Sequence, residues 1–244
     1  ALVLPVTVLD NAKAGTAVAL VDPPLALAAK AMSGRRGYLD GRALAEVFAW
    51  LRPGDLIWNY WVNNYLLGRK PPAFDILFWN SDTTRMSARL HADFVDLAME
   101  NKLVTPGALT VLGAGADLSK VDVDAYIVAG ITDHITPWQN CYRSTQLLGG
   151  KSRFVLSTSG HIAALVNPPG NQKATYQTKK TSTANPADPA EWLAAARTQP
   201  GSWWPDMLAW LGDRCGPEKP APAELGGGGL RPLVEAPGTY VFDS

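Results

Sequence analysis

Three short apolar runs limit what this chain can fold into. They are "ALVLPVTVL" at 1–9, "AYIVAG" at 125–130 and "RFVLST" at 153–158. Each is too short for a buried helix, rich in β-branched residues and bounded by turn residues, which is the pattern of strands buried on both faces. Helical periodicity occupies most of the chain between them. Strand, long helical stretch, strand, helix, strand is the order of an α/β fold with a parallel sheet.

The intervening segments read as follows. Residues 25–33 suit a helix. In "DGRALAEVFAWL", Asp40 can cap a helix whose Leu44, Val47, Phe48 and Leu51 recur at helical spacing, with Pro53 and Gly54 as its stop. Asp55 is placed to cap a second helix ended by Gly68. Residues 71–82 read as irregular or briefly extended. A helix over about 85–100 would put Leu90, Phe94, Leu97 and Ala98 on one face. A further strand is expected at 109–112, and a helix over 137–148 with Pro137 in its first turn. A short helix is expected from His161 to Val166. From 167 to about 187 Asn, Pro, Lys, Thr and Gly dominate. Helices near 188–198 and 203–213 follow, and then a loosely ordered tail with "GGGG" at 226–229.

The stretch between the first and the 125–130 strands is too long for a simple crossover. It reads as a helical cap over the carboxyl edge of the sheet, where such folds place ligands. The expected organisation is a core strand at 1–10, a cap insertion at 11–95, a core carrying the chemistry at 96–175, and C-terminal helices and tail at 176–244.

That chemistry centres on two residues. Asp133 lies three residues past the 125–130 strand, and His161 occupies the equivalent loop one strand later, 28 residues on. In α/β-hydrolase folds a triad runs nucleophile, acid, histidine in chain order. The acid fixes the imidazole tautomer, and the imidazole deprotonates the nucleophile. Spacing alone leaves a second reading open, in which Asp133 caps the helix near 137 and His161 is an ordinary loop residue. His134 competes as base, but neighbours on a tight turn diverge. His91 sits on a helix face.

The nucleophile should precede Asp133 in a G-x-[S/C]-x-G turn. Ser33, Ser81, Ser87 and Ser119 all lack the flanking glycines, and no cysteine precedes position 133. Cys141 lies after the acid inside a helix, and Cys215 near the end of the last helix. Both read as incidental thiols. "GGKS" at 149–152 lacks the first glycine of a phosphate loop, "GAGADL" lacks the third glycine of a dinucleotide fingerprint, and metal-type spacings are absent.

Lysine plus arginine and aspartate plus glutamate both number 22, so zero formal charge argues against electrostatic capture of nucleic acid or anionic membrane. No apolar run reaches the length of a spanning helix. Residues 1–9 lack the charged leader of a signal peptide. A chain opening on a buried strand reads as a piece of a longer protein, and its unpaired sheet edge predicts poor solubility.

The strings "VFAWLRPGDLIWNYWVNNYLLG", "FDILFWNSD", "AGITDHITPW", "RFVLSTSGHIAALVNPPGN" and "GSWWPDMLAWL" together resemble the polyhydroxyalkanoate synthases, over nearly the whole chain. The resemblance implies an α/β-hydrolase-like, mostly parallel sheet, here partial, with a helical cap insertion and a C-terminal helical tail. It implies Asp133 as acid and His161 as base of a Cys-His-Asp triad whose cysteine lies upstream of this chain, with Asp133 either orienting His161 or activating the elongating hydroxyl. The substrate implied is a 3-hydroxyacyl-CoA thioester, polymerised into a growing polyester with release of CoA, with no cofactor and no metal. Trp79 in "FWNSD" is implied to line the covered site or a dimer contact. A homodimer, a cytoplasmic location and association with polyester granules are implied for the intact protein. A related esterase or polyester depolymerase, and a non-catalytic granule-associated partner, are the rival readings.

Overall fold

The computed structural model describes residues 1–12, 22–51, 53–71, 83–179, 184–236 and 238–239. Trp79 and the 72–82 stretch lie outside the described residues, as do the side chains of Leu44, Val47, Phe48, Leu51 and Asp55. The strands are β1 (Leu2–Pro5), β2 (Tyr38–Leu39), β3 (Met86–Ser87), β4 (Thr110–Val111), β5 (Ala114–Gly115), β6 (Ala125–Gly130), β7 (Ser152–Ser157), β8 (Thr175–Thr178) and β9 (Arg197–Pro200).

Five of them form the central sheet in the order β1-β6-β7-β8-β9. β1, β6 and β7 run parallel, and β8 and β9 add antiparallel pairs. Every residue of β6 is buried, as its unbroken apolar run requires of a strand covered on both faces. Its alternate side chains feed two cores. Ala125, Ile127 and Ala129 pack with Trp138, Tyr142, Phe154 and Trp192, while Tyr126 and Val128 pack with Val155, Trp203 and Trp210 on the other face. The period-2 geometry of a strand dictates this division. On the second face, Tyr126 donates its hydroxyl to Asp206 at 2.7 Å, and Arg153 is paired with the same carboxylate. These contacts bind the helix Trp204–Gly212 to the sheet.

Between β1 and β6 the chain makes the expected helical insertion. The helix Pro23–Arg36 is capped by Asp22, whose side chain accepts from the Leu25 N–H at 2.9 Å. The helix Gly41–Leu51 starts after Asp40, which accepts from the Arg42 N–H at 3.0 Å. The helix ends at Leu51, shortly before Pro53, as its expected stop requires. Pro53 has helical dihedrals, and π-type turns follow at Gly54–Trp58 and Trp61–Leu66. The wider i→i+5 ring is seen in the Asn59 N–H donating to the Gly54 carbonyl, just after a proline that itself has no N–H to donate. Gly68 ends this arm at φ +63°. The helix Ala88–Glu100 is held to Pro23–Arg36 by Lys30–Asp96 and by Ser33–His91 at 2.8 Å. Leu90 and Phe94, expected on its apolar face, are 47% and 52% exposed, so its packing runs through the His91 and Asp96 side instead.

The two ends of the insertion meet. Asn101 donates its side-chain amide to Asp10 and accepts the Asn11 N–H at 2.8 Å. Buried Asp10 is also paired with Arg143 and accepts, through its backbone carbonyl, from Asn140. The exit from β1 and the return from the insertion are therefore pinned to one helix, Trp138–Leu147.

Other expectations shift. The run at 109–112 is not a core strand. β4 pairs with β5 in a small exposed hairpin turned by Leu112 and Gly113, both at positive φ. Only β1's first residues, Leu2–Pro5, are strand, because Val6 turns at φ +42°. Pro137 precedes the helix Trp138–Leu147 instead of opening its first turn. β8 and β9 lie where composition had suggested loop and helix end. Their sequences "TYQT" and "RTQP" carry little apolar signal, and pairing at the sheet's flank determines them. The helix Pro189–Ala195 consequently ends before Arg197.

Candidate active site

β6 and β7 are parallel and in register, with Gly130 opposite Ser157. Their carboxyl ends therefore emerge side by side, and the residues that follow must share one rim of the sheet. The Ile131 N–H donates to the Ser157 carbonyl at 2.9 Å and the Thr132 N–H to the Ser159 carbonyl at 3.2 Å, extending contact between the two loops. Gly130 has to be glycine here. A Cβ at this position would lie 2.8 Å from the Ser159 carbonyl oxygen and 2.9 Å from the Ala164 methyl. Ser159 itself adopts φ +83°, a strained conformation for a residue with a side chain. The tight turn it makes delivers His161 as the first residue of the helix His161–Leu165.

The Asp133 carboxylate, its side chain wholly enclosed, meets the His161 Nδ1 at 2.7 Å. The imidazole is held at Nδ1 and is 25% exposed, so it is partly open to its surroundings. Asp133 Oδ1 accepts the backbone N–H groups of Ile135 and Thr136, each at 2.9 Å. Oδ2 accepts the Thr136 hydroxyl at 2.7 Å and the His161 N–H. A carboxylate offers about four lone-pair positions, and these donors fill them. Burial alone would raise the Asp133 pKa. The Thr136 N–H, the Thr136 hydroxyl and His161 outweigh it, and the net shift is downward. An acid held ionised beside one ring nitrogen fixes the tautomer with its acceptor lone pair on the other, Nε2. Such a pair can take a proton from a nucleophile brought to Nε2.

The structure thus brings together the two residues expected to pair. Asp133 also caps the turn at 135–136, so part of the capping alternative is true as well. It does not cap the helix Trp138–Leu147, which has no side-chain cap. His134 makes no bond to Asp133, and its Nε2 is buried with no hydrogen-bond partner among the described residues. His91 sits in the insertion against Ser33. Cys141 is fully buried, its thiol donates to the Thr136 carbonyl at 3.7 Å, and burial pushes its pKa up to about 12. A protonated, enclosed thiol is a poor nucleophile. Cys215 is exposed just past the last helix. Among the described residues no cluster of His, Cys, Asp and Glu could hold a metal ion, and no helix is long and apolar enough to cross a membrane. Sequence reasoning missed Thr136. Its signal was a hydroxyl three residues after the acid and directly before a proline.

A model of the alpha/beta hydrolase fold family matches residues 27–168, a span that includes both Asp133 and His161. The chain is 52% identical over 240 residues to poly(3-hydroxyalkanoate) polymerase 2 of Ectopseudomonas oleovorans, covering 97% of this chain and 42% of that protein. It is 49% identical over 243 residues to poly(3-hydroxyalkanoate) polymerase 1 of the same organism, covering 100% of this chain and 43% of that one. Identity to the poly(3-hydroxyalkanoate) polymerase subunit PhaC of Cupriavidus necator is 46% over 204 residues, or 83% of this chain and 34% of the relative. The chain spans less than half the length of these curated relatives.

Proposed function

The chain belongs to the α/β-hydrolase fold family, and from that premise we propose that it is the acid- and base-bearing part of a polyhydroxyalkanoate synthase, an acyltransferase that polymerises 3-hydroxyacyl-CoA thioesters. The observation that carries this reading is the 2.7 Å pairing of Asp133 with His161 at the rim of parallel strands. The long similarity to the polymerases supports the substrate class.

In this reading a cysteine upstream of the chain completes the triad. His161 Nε2 takes the thiol proton, and the thiolate attacks the thioester carbonyl. The tetrahedral intermediate collapses with cleavage of the carbon–sulfur bond to CoA, and the imidazolium returns its proton to the departing thiolate. The 3-hydroxyl of a bound acyl unit then attacks an acyl-cysteine, its proton passing to His161. As the ester carbon–oxygen bond forms, the acyl carbon–sulfur bond breaks, and the cysteine leaves as thiolate and recovers the proton from the imidazolium. The polyester thereby grows by one unit. Asp133 orients His161 throughout, since its oxygens are already occupied by four donors. The insertion serves as a cap bearing Trp79. The intact enzyme acts as a homodimer in the cytoplasm at the surface of polyester granules.

The test compares this chain with the longer protein carrying the upstream segment, using CoA release from 3-hydroxybutyryl-CoA. The longer protein should release CoA and form polymer, and the chain alone should do neither. Free 3-hydroxybutyrate as sole product would favour the hydrolase reading. Turnover by the chain alone would contradict the proposed place of the nucleophile.

A further inference from the structure

The hydroxyl of Thr136 has a position that the triad reading leaves unused. It donates to Asp133 Oδ2 at 2.7 Å and lies 3.3 Å from His161 Nδ1, while the Thr136 N–H holds Asp133 Oδ1 at 2.9 Å. One residue therefore touches both carboxylate oxygens and the imidazole. Three local restraints fix it there. Thr136 precedes Pro137, which confines its backbone to extended conformations. Its β-branch restricts χ1. Its carbonyl accepts from the buried Cys141 thiol.

We propose that Thr136 is a positioning residue whose hydroxyl locks the Asp133 carboxylate in the plane that selects the Nδ1–H tautomer of His161. The inference rests on the reading of Asp133 and His161 as acid and base. Two N–H groups hold Oδ1, but they leave the carboxylate free to rock about that oxygen. The hydroxyl on Oδ2 removes this freedom and aims the remaining lone pair at the ring. Its own oxygen presents lone pairs 3.3 Å from the same ring nitrogen, so the Nδ1 proton lies between two acceptors that move as one unit. The protein contains three histidines, and His91, held against Ser33 in the insertion, can act as an internal reference.

The experiment is ring-nitrogen NMR on the full chain, 15N-labelled at histidine and carried on a solubility tag. Above its titration range the parent chain should show His161 mainly as the Nδ1–H tautomer. Thr136→Val keeps the shape and removes the hydroxyl. It should raise the Nε2–H share to roughly a third, whereas Thr136→Ser should restore the parent ratio. Asp133→Asn should disturb the ratio more than either. An unchanged His91 signal and an unchanged circular-dichroism spectrum certify the fold, and Thr136→Ala replaces the valine variant if that one fails to fold. An undisturbed ratio in Thr136→Val beside a disturbed one in Asp133→Asn would overturn the role of Thr136 and leave the dyad standing. Equal disturbance by valine and serine would also overturn it, since the hydroxyl would then be immaterial. No effect of Asp133→Asn would remove the acid–base reading itself.

Discussion

The Asp133 carboxylate and the His161 imidazole lie 2.7 Å apart although 28 residues separate them in the chain. Their meeting follows from the parallel register of β6 and β7, which releases Gly130 and Ser157 at the same level of the sheet. The carboxylate is enclosed and the ring partly open, so any reacting group must come to His161.

Asp133→Asn should leave the fold nearly intact, because an amide oxygen can still accept the Ile135 and Thr136 N–H groups. Turnover of the longer protein should nonetheless fall by about 10³–10⁴-fold, the usual cost of losing tautomer control in a triad. His161→Ala should do at least as much harm. CoA-thiol release, measured beside the melting temperature, checks both.

Cys141→Ala should cost about 1 kcal/mol of stability for a small buried group and leave the turnover number unchanged. The thiol is enclosed, protonated and turned toward the Thr136 carbonyl. Turnover lost with Cys141 would refute the placement of the nucleophile outside this chain.

Gly130→Ala should destabilise by about 2–3 kcal/mol, since the new methyl would meet backbone and a packed methyl at 2.8 Å and 2.9 Å. The relief it forces is a displacement of the Ser159–His161 turn. Activity should therefore drop more than stability, and urea unfolding with parallel CoA-release assays separates the two.

Acid should weaken the fold through Asp133 and Asp10. At both sites burial acts to raise the pKa, but the hydrogen bonds, joined at Asp10 by the Arg143 guanidinium, prevail and lower it. A carboxyl with a folded-state value below its unfolded value of about 3.9 stabilises fully above that value. The contribution is lost as pH falls through the lower, folded-state value. Urea midpoints should decline below pH 4, and Asp10→Asn should flatten that decline. An equal slope in the variant would assign the acid sensitivity to other groups.

Much of this was legible in the chain. "AYIVAG" is apolar at every position and becomes a wholly buried strand, and the acid and histidine stand just past the strands as expected. The "LTVL" run looked equally strand-like, yet Gly113 turns it into an exposed hairpin. "TYQT" and "RTQP" showed little apolar pattern and still became β8 and β9, because strands at the flank of a sheet need pairing more than burial. The tryptophans divide in the same way. Trp138, Trp192, Trp203 and Trp210 fill the two cores, whereas Trp50, Trp58 and Trp61 on the insertion remain about half exposed or more.

By itself the sequence determined that 125–130 and 153–158 are core strands, that the stretch before them is largely helical, and which two side chains stand at the strand ends. These are local properties, set by apolar period and by capping residues within a few positions. Only the tertiary structure decided that Asp133 faces His161 instead of merely capping a turn, that Thr136 joins them, and that Cys141 points into the core. Those outcomes depend on strand register and on packing, and a one-residue slip of β7 against β6 would take His161 away from Asp133 and Thr136.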